Sequence, residues 1–310
     1  KNQRLGNHGN ICTYSFQAIK HITAVDGGML ILPSQELYNR SKLLRWYGID
    51  RESNKKDFQK IGGQIMKFAF FPGCVSRGAC PELYTSTVKI SGILGIELDE
   101  KALESASCTG AGVLQEKNQL LGDTLNARNI ALAEKQNLPI LTICSTCQGV
   151  MSQAEYRLEN EEYRAQINET LADEGLEYTG KTPTRHILWI IVEEIGEKKF
   201  KSLVKRQLDG LRLAPFYGCY LVRPSKALKF YEKPERETCL EDLTEWVGAT
   251  VVDFPGKTAC CGFPIVTINE KASLKMVGNH TSTAKDLGAD AMVTPCPLCH
   301  LNLDQYQDRA

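Results

Sequence analysis

The sequence predicts an α/β protein built from two repeated cysteine-rich modules with short parallel sheets, preceded by a head segment outside the repeat. Two observations carry this. Nine of the 12 cysteines fall into two copies of one spaced pattern. Around each copy, short apolar runs alternate with longer amphipathic stretches, as strand–helix units with parallel pairing do. The earlier copy reads Cys74, then Cys108-Thr109-Gly110, then Cys144-Ser145-Thr146-Cys147. The later copy reads Cys219, then Cys260-Cys261-Gly262, then Cys296-Pro297-Leu298-Cys299. Cys108, Cys144 and Cys147 each precede their counterparts by 152 positions, and Cys74 precedes Cys219 by 145. Independent buried thiols would not keep such a register; two related metal-binding modules would.

The elements follow in order. Residues 1–60 form the head, and Met66, where the first strand begins, reads as a native start site with something appended before it. Module one, residues 66–208, opens with a strand over Met66–Phe71, and Pro72-Gly73 then turns the chain into Cys74. A helical segment over Pro81–Leu94 leads to a second strand at Ile96–Leu98 and to the central Cys108 motif. An amphipathic helix over Leu120–Gln136 and a third strand over Pro139–Ile143 deliver the chain to Cys144 and Cys147. The polar stretch Gln153–Leu208, rich in Glu, Arg and Lys, reads as a helical connector with a solvated face. Asp209-Gly210 is a turn that starts module two, residues 211–310. There the plan repeats: strand Leu211–Tyr217, helix Leu240–Val247, strand Thr250–Val252, helix Ala272–Leu287, strand Ala291–Val293. In open parallel sheets ligands gather beyond the carboxyl ends of the strands, and all nine patterned cysteines are expected there.

Composition narrows the class. The 310 residues are 24 % charged and 42 % hydrophobic, and 37 basic side chains balance 37 acidic ones. Zero net charge argues against a nucleic-acid partner, which would call for a basic excess. The polar start Lys1–Gly9 has no apolar core region of a signal peptide. The most apolar run, Ile187–Val192, is far below the roughly 20 residues a membrane-spanning helix needs, and reads as a buried helix face. A cytoplasmic chain with no direct membrane span is expected. In a reducing compartment clustered thiols hold metal more often than they form disulfides.

Iron–sulfur clusters and zinc both take about four thiolates. Module two brings five: Cys219, Cys260, Cys261, Cys296 and Cys299. Neighbouring Cys260 and Cys261 leave the backbone in different directions and are better suited to different irons of one cluster than to one ion. Surplus thiolate therefore favours iron–sulfur over zinc in module two. Module one has Thr109 in place of the fifth cysteine, and Cys74, Cys108, Cys144 and Cys147 suit either a cluster or a structural zinc. Cys12, Cys80 and Cys239 stand outside the pattern and read as ordinary thiols, with Cys80 placed to substitute as a ligand. His300, directly after Cys299, reads first as an ordinary histidine and second as a hydrogen-bond donor to cluster sulfur.

From Met66 to Tyr306 the pattern resembles the tandem CCG cysteine-rich domains of the B-type heterodisulfide reductase component and its relatives. That resemblance implies an oxidoreductase acting on sulfur groups, working within a complex, with two α/β domains and metal centres near their interface. It assigns Cys219, Cys260, Cys261, Cys296 and Cys299 to an unusual [4Fe-4S] cluster, and Cys74, Cys108, Cys144 and Cys147 to a second centre, iron–sulfur or zinc. It also implies a disulfide or thiol substrate, a ferredoxin-type iron–sulfur partner (C-type) and a flavoprotein partner (A-type). Thr109 departs from the complete pattern and looks like the branch linked to sulfur oxidation or to dehydrogenase electron transfer. Related domains also serve quinone-linked dehydrogenases, so the alternative implied is a non-catalytic electron-transfer or anchor subunit.

The head resembles a second family. Ser15–Leu30 looks like the lysine region of the sugar aminotransferases that use pyridoxal phosphate, with Lys20 at the Schiff-base position and Ser15 at the cofactor phosphate. The likeness runs over Leu5–Phe58, a slice of a much larger domain, and omits most of the pocket. Lys20 is therefore expected to be a relic, with no bound pyridoxal phosphate and no aminotransferase activity.

Overall fold

The computed structural model describes residues 65–310, together with the backbone of two short strands, β1 (Cys12–Ser15) and β2 (Gly28–Ile31). These two pair antiparallel, Cys12 opposite Ile31, and belong to a unit spanning Lys1–Asp57; everything else belongs to a second unit, Phe58–Ala310. Lys20 lies outside the described residues.

The first repeat runs β3 (Met66–Phe71), α1 (Cys74–Gly78), α2 (Pro81–Ile93), β4 (Ile96–Asp99), α3 (Val113–Lys117), α4 (Gln119–Glu134), β5 (Ile140–Thr142) and α5 (Ser145–Arg157). The connector supplies α6 (Glu161–Leu171), β6 (Thr184–His186), α7 (Ile187–Ile190) and α8 (Glu197–Leu203). The second repeat runs β7 (Arg212–Pro215), α9 (Cys239–Trp246), β8 (Thr250–Val251), α10 (Glu270–Asp286), β9 (Ala291–Val293) and α11 (Pro297–Gln305). Every pairing in both sheets is parallel. The strand orders are β4-β3-β5-β6 and β8-β7-β9. Each repeat thus places its first strand at the centre, its second on one side and its third on the other.

β3 shows why the apolar run is continuous rather than alternating. Phe68 and Phe70 join a core with Leu94, Ile96 and Leu141, while Ala69 and Phe71 join a core with Ala127, Ile130 and Ile140. A parallel strand covered on both faces needs apolar residues in both phases of its two-residue period. The core that receives Ala69 and Phe71 also holds Ala214, Phe216, Cys144, Cys147, Cys261, Cys296 and Cys299. The two repeats therefore share one hydrophobic core, and the cysteine loops sit in it.

Two long helices have matching starts. The Asn118 side chain accepts from Leu121 N–H at α4, and Asn269 accepts from Ala272 N–H at α10, both at 3.0 Å. Such caps are each worth about 1 kcal/mol over alanine.

The connector is in part the solvated helix expected, since α6 exposes Glu161, Glu162 and Glu169 and buries only Ile167 and Leu171, but the rest of it is tied into the fold. Its β6 extends the first sheet, pairing Ile140 with Thr184. Its Glu193 carboxylate is almost fully buried and takes Arg185 and Arg236, each at 2.7 Å. The Arg236 guanidinium also lies 4.0 Å over the Trp189 ring, so the connector is bonded to the second repeat. The Ile187–Val192 run is a buried helix face, as its composition suggested; Ile187, Trp189, Ile190 and Ile191 are all buried.

Candidate metal centre

Each repeat presents its cysteines from three loops. The first cysteine follows the central strand across a glycine of positive φ. At Gly73 (φ +80°) a Cβ would stand 3.3 Å from Cys147 Sγ, and at Gly218 (φ +71°) 2.8 Å from Cys299 Sγ. Glycine is required there twice over, by the left-handed turn and by the sulfur against it. The Cys-x-x-Cys motifs are also built alike. Cys144 (φ −123°, ψ 114°) and Cys296 (φ −123°, ψ 119°) are the extended residues before α5 and α11, with Cys147 and Cys299 in the first turns. A helix N-terminus carries partial positive charge and favours thiolate.

The sulfurs form a string. Cys108 and Cys74 Sγ are 3.8 Å apart at the surface, and Cys74 interacts electrostatically with Cys147. Cys147 contacts Cys144, Cys144 contacts Cys296 of the other repeat, and Cys296 contacts Cys299. Cys299 contacts Cys261, Cys261 contacts Cys260, and Cys260 contacts Cys219. Neighbours in the string polarise one another. Hydrogen bonds from Cys219 and Cys261 pull Cys260 down to about 2, and contacts with Cys144 and Cys299 hold Cys296 well below its ordinary value. The intervening thiols go the other way: the Cys260 contact pushes Cys261 up to about 12, and the Cys147 contact pushes Cys144 well up. Sulfurs packed this closely cannot all ionise unless positive charge enters among them, which is what metal would bring.

The surroundings suit anionic sulfur. Backbone N–H groups of Gly110, Gly262 and Phe263 donate to Cys108, Cys260 and Cys261 at 3.4, 3.4 and 3.5 Å. The Arg223 charge adds to the lowering of Cys260, while the contact with Cys260 and burial push Cys219 well up. Thr109, standing where the later repeat has Cys261, is buried and donates its hydroxyl to Cys147 Sγ at 3.6 Å; Cys261 makes the same contact with Cys299 as a thiol. Among the described residues, no group of three patterned cysteine sulfurs lies mutually within 4.8 Å; the one group of metal-binding side chains that does is Cys80, Glu82 and His300. With zinc–sulfur bonds near 2.3 Å, two sulfurs on one zinc lie at most about 4.6 Å apart.

Several residues at the site carried no sequence signal. Tyr220 follows Cys219 and wedges against the first repeat, where a Cβ on Gly149 would meet the tyrosine Cβ and a ring carbon at 2.8 Å. The Thr146 hydroxyl is 3.5 Å from Cys296 Sγ, and Ser145 donates to the Pro295 carbonyl at 3.2 Å. Buried Asn302 donates to the Cys261 carbonyl at 2.6 Å, and His280 Nε2 lies 3.0 Å from the Cys260 carbonyl. With Cys219, Cys261, Cys296 and Cys299, Tyr220 and Thr146 line a small cleft where the repeats meet.

The cysteines outside the pattern are elsewhere. Cys239 is buried at the start of α9 beside Tyr217, and burial pushes it up to about 12. Cys80 precedes α2 with its sulfur toward the Pro297 carbonyl, 3.8 Å away. His300 turns to Glu82, at 3.7 Å, and not to a patterned cysteine. No helix among the described residues is long and apolar enough to cross a membrane.

The cysteine-rich CCG domain model matches twice, over residues 68–152 and 213–304, and the DegT/DnrJ/EryC1/StrS aminotransferase model matches residues 1–71. The chain is 41 % identical, over 79 % of its length and 84 % of the relative's, to the 8-methylmenaquinol:fumarate reductase membrane anchor subunit of Wolinella succinogenes. It is 32 % identical, over 78 % of its length and 80 % of the relative's, to the B-type component of ferredoxin:CoB-CoM heterodisulfide reductase from Methanosarcina mazei. A protein of Archaeoglobus profundus, named as similar to that same B-type component of heterodisulfide reductase, is 31 % identical over 79 % of this chain and 83 % of its own. A hypothetical protein from Helicobacter pylori shares the fold, with a TM-score of 0.62 at 15 % identity over 80 % of this chain and 44 % of that structure.

Proposed function

Because the chain belongs to the tandem CCG family that includes the B-type heterodisulfide reductase component, we propose that it is the iron–sulfur subunit of a redox complex that reduces or oxidises a disulfide or thiol. Cys219, Cys260, Cys261, Cys296 and Cys299 would hold an unusual [4Fe-4S] cluster, and Cys74, Cys108, Cys144 and Cys147 a second centre. When bound, the cluster supplies one-electron chemistry and an iron site for sulfur. The string of nine sulfurs from Cys108 to Cys219 carries this reading, because it offers one continuous donor path across both repeats. Gly110, Gly262 and Phe263 N–H groups donate to the sulfurs of Cys108, Cys260 and Cys261, and Tyr220 and Thr146 shape the cleft beside Cys261. Reducing a disulfide to two thiols takes two electrons and two protons. The electrons would come from a ferredoxin-type iron–sulfur partner fed by a flavoprotein partner.

Anaerobic iron, sulfide and zinc analysis of wild type beside Cys261→Ala tests the assignment. Brown protein whose iron and sulfide fall in the variant supports it, while a colourless zinc protein overturns it. A small thiol that perturbs the cluster's electron paramagnetic resonance signal supports substrate binding.

A second reading has its own observation. Thr109 leaves the first repeat one thiolate short, and the 41 % identical relative is named a membrane anchor subunit. On that reading the chain is a non-catalytic electron-transfer or anchor subunit of a quinone-linked oxidoreductase. Electron passage between redox partners, with indifference to every thiol and disulfide, would select it.

A further inference from the structure

Beside the sulfur string, three different donor side chains converge where the repeats meet. Cys80, Glu82 and His300 each bring one ligand atom within 4.8 Å of the other two. Cys80 is fully buried just before α2, and Glu82 lies in that helix's first turn. His300 projects from α11, one residue beyond Cys299, with Nε2 3.7 Å from Glu82 Oε1. The thiol has only a long contact to the Pro297 carbonyl, at 3.8 Å. Asp304, one helical turn beyond His300, adds a second carboxylate near it.

We propose that Cys80, Glu82 and His300 bind a divalent transition-metal ion, zinc by their chemistry, as a clamp between the two repeats. Thiolate, imidazole and carboxylate are the three donor types zinc accepts, at about 2.3, 2.0–2.1 and 2.0–2.2 Å. Donors at those lengths on one ion are at most about 4.5 Å apart, so the observed group closes around zinc with small side-chain rotations. Three protein ligands leave the fourth position to water. The Glu82–His300 pair alone is exposed and adds little. Cys80 and Glu82 come from the first repeat and His300 from the second, so the ion would tie α2 to the helix that carries Cys299.

The test uses the full chain, purified anaerobically with its iron and sulfide intact, equilibrated with zinc and then dialysed. Wild type should retain one zinc per chain more than His300→Ala and Cys80→Ser do, whichever metal the four cysteines of the first repeat hold, with affinity falling about tenfold or more in Glu82→Gln. Iron and sulfide should stay unchanged, so a failure here is separable from a failure of the cluster assignment. X-ray absorption at the zinc edge should show one sulfur and nitrogen or oxygen neighbours. Equal zinc in wild type and the surface variants His300→Ala and Glu82→Gln, or an all-sulfur shell, would overturn the proposal; these two variants decide it even where Cys80→Ser does not fold.

Discussion

Cys144 and Cys296 hold the same position in the two repeats, 152 residues apart, and their thiols interact across the seam. The contact couples the two cysteine groups directly: Cys144 helps hold Cys296 low, and Thr146 beside it adds a hydroxyl 3.5 Å from the same sulfur. Replacing Cys144 should therefore be felt in the second repeat. Cys144→Ser is expected to shift the electron paramagnetic resonance signal and midpoint potential of the centre held by Cys296. A spectrum identical to wild type would separate the two groups electronically.

Thr109 occupies the place of a fifth ligand and already faces Cys147 Sγ from a buried position. Thr109→Cys exchanges a hydroxyl for a thiol of similar size and recreates the set present in the later repeat. Iron and sulfide per chain should rise after anaerobic reconstitution. Unchanged metal content would mean that more than this ligand separates the repeats.

Gly218→Ala tests the turn before Cys219. The variant meets Cys299 Sγ at 2.8 Å and adds a Cβ in a left-handed conformation, a cost of about 1–2 kcal/mol from backbone alone. Cluster loading should fall together with the unfolding midpoint. Full loading at wild-type stability would show that the loop relaxes freely.

Glu155 gives a pH dependence. Its carboxyl accepts from Thr184 N–H at 2.9 Å, yet burial pushes it up to about 7 from 4.5. Between those values the folded chain holds a proton that the unfolded chain has released. Its stabilising share is therefore complete below pH 4.5 and is lost as pH rises through about 7, amounting to about 3 kcal/mol. Glu155→Gln should flatten that slope in denaturant titrations across the window. Parallel pH profiles for variant and wild type would remove Glu155 as its source.

The Cys-x-x-Cys loops were legible because their cysteines are spaced in one register, and the strands because parallel pairing demands apolar runs. Helix limits read from the sequence fall within a residue or two of α2, α4, α9 and α10. β6 was not legible: Thr184-Arg185-His186 is three residues with no apolar run, and it is a strand because β5 offers it an open edge. Tyr220, Asn302 and His280 gave no signal, since their roles at the site come from contacts with residues far away in the chain.

By itself the sequence determined the repeat, the parallel strand–helix units and the nine candidate thiolate ligands, because spacing and hydrophobic period are local properties. Only the tertiary structure decided that both cysteine groups meet in one shared core, that Thr109 replaces a thiol contact with a hydroxyl one, and that Cys80 finds Glu82 and His300. Those relationships depend on how two sheets pack together, which no run of neighbouring residues encodes.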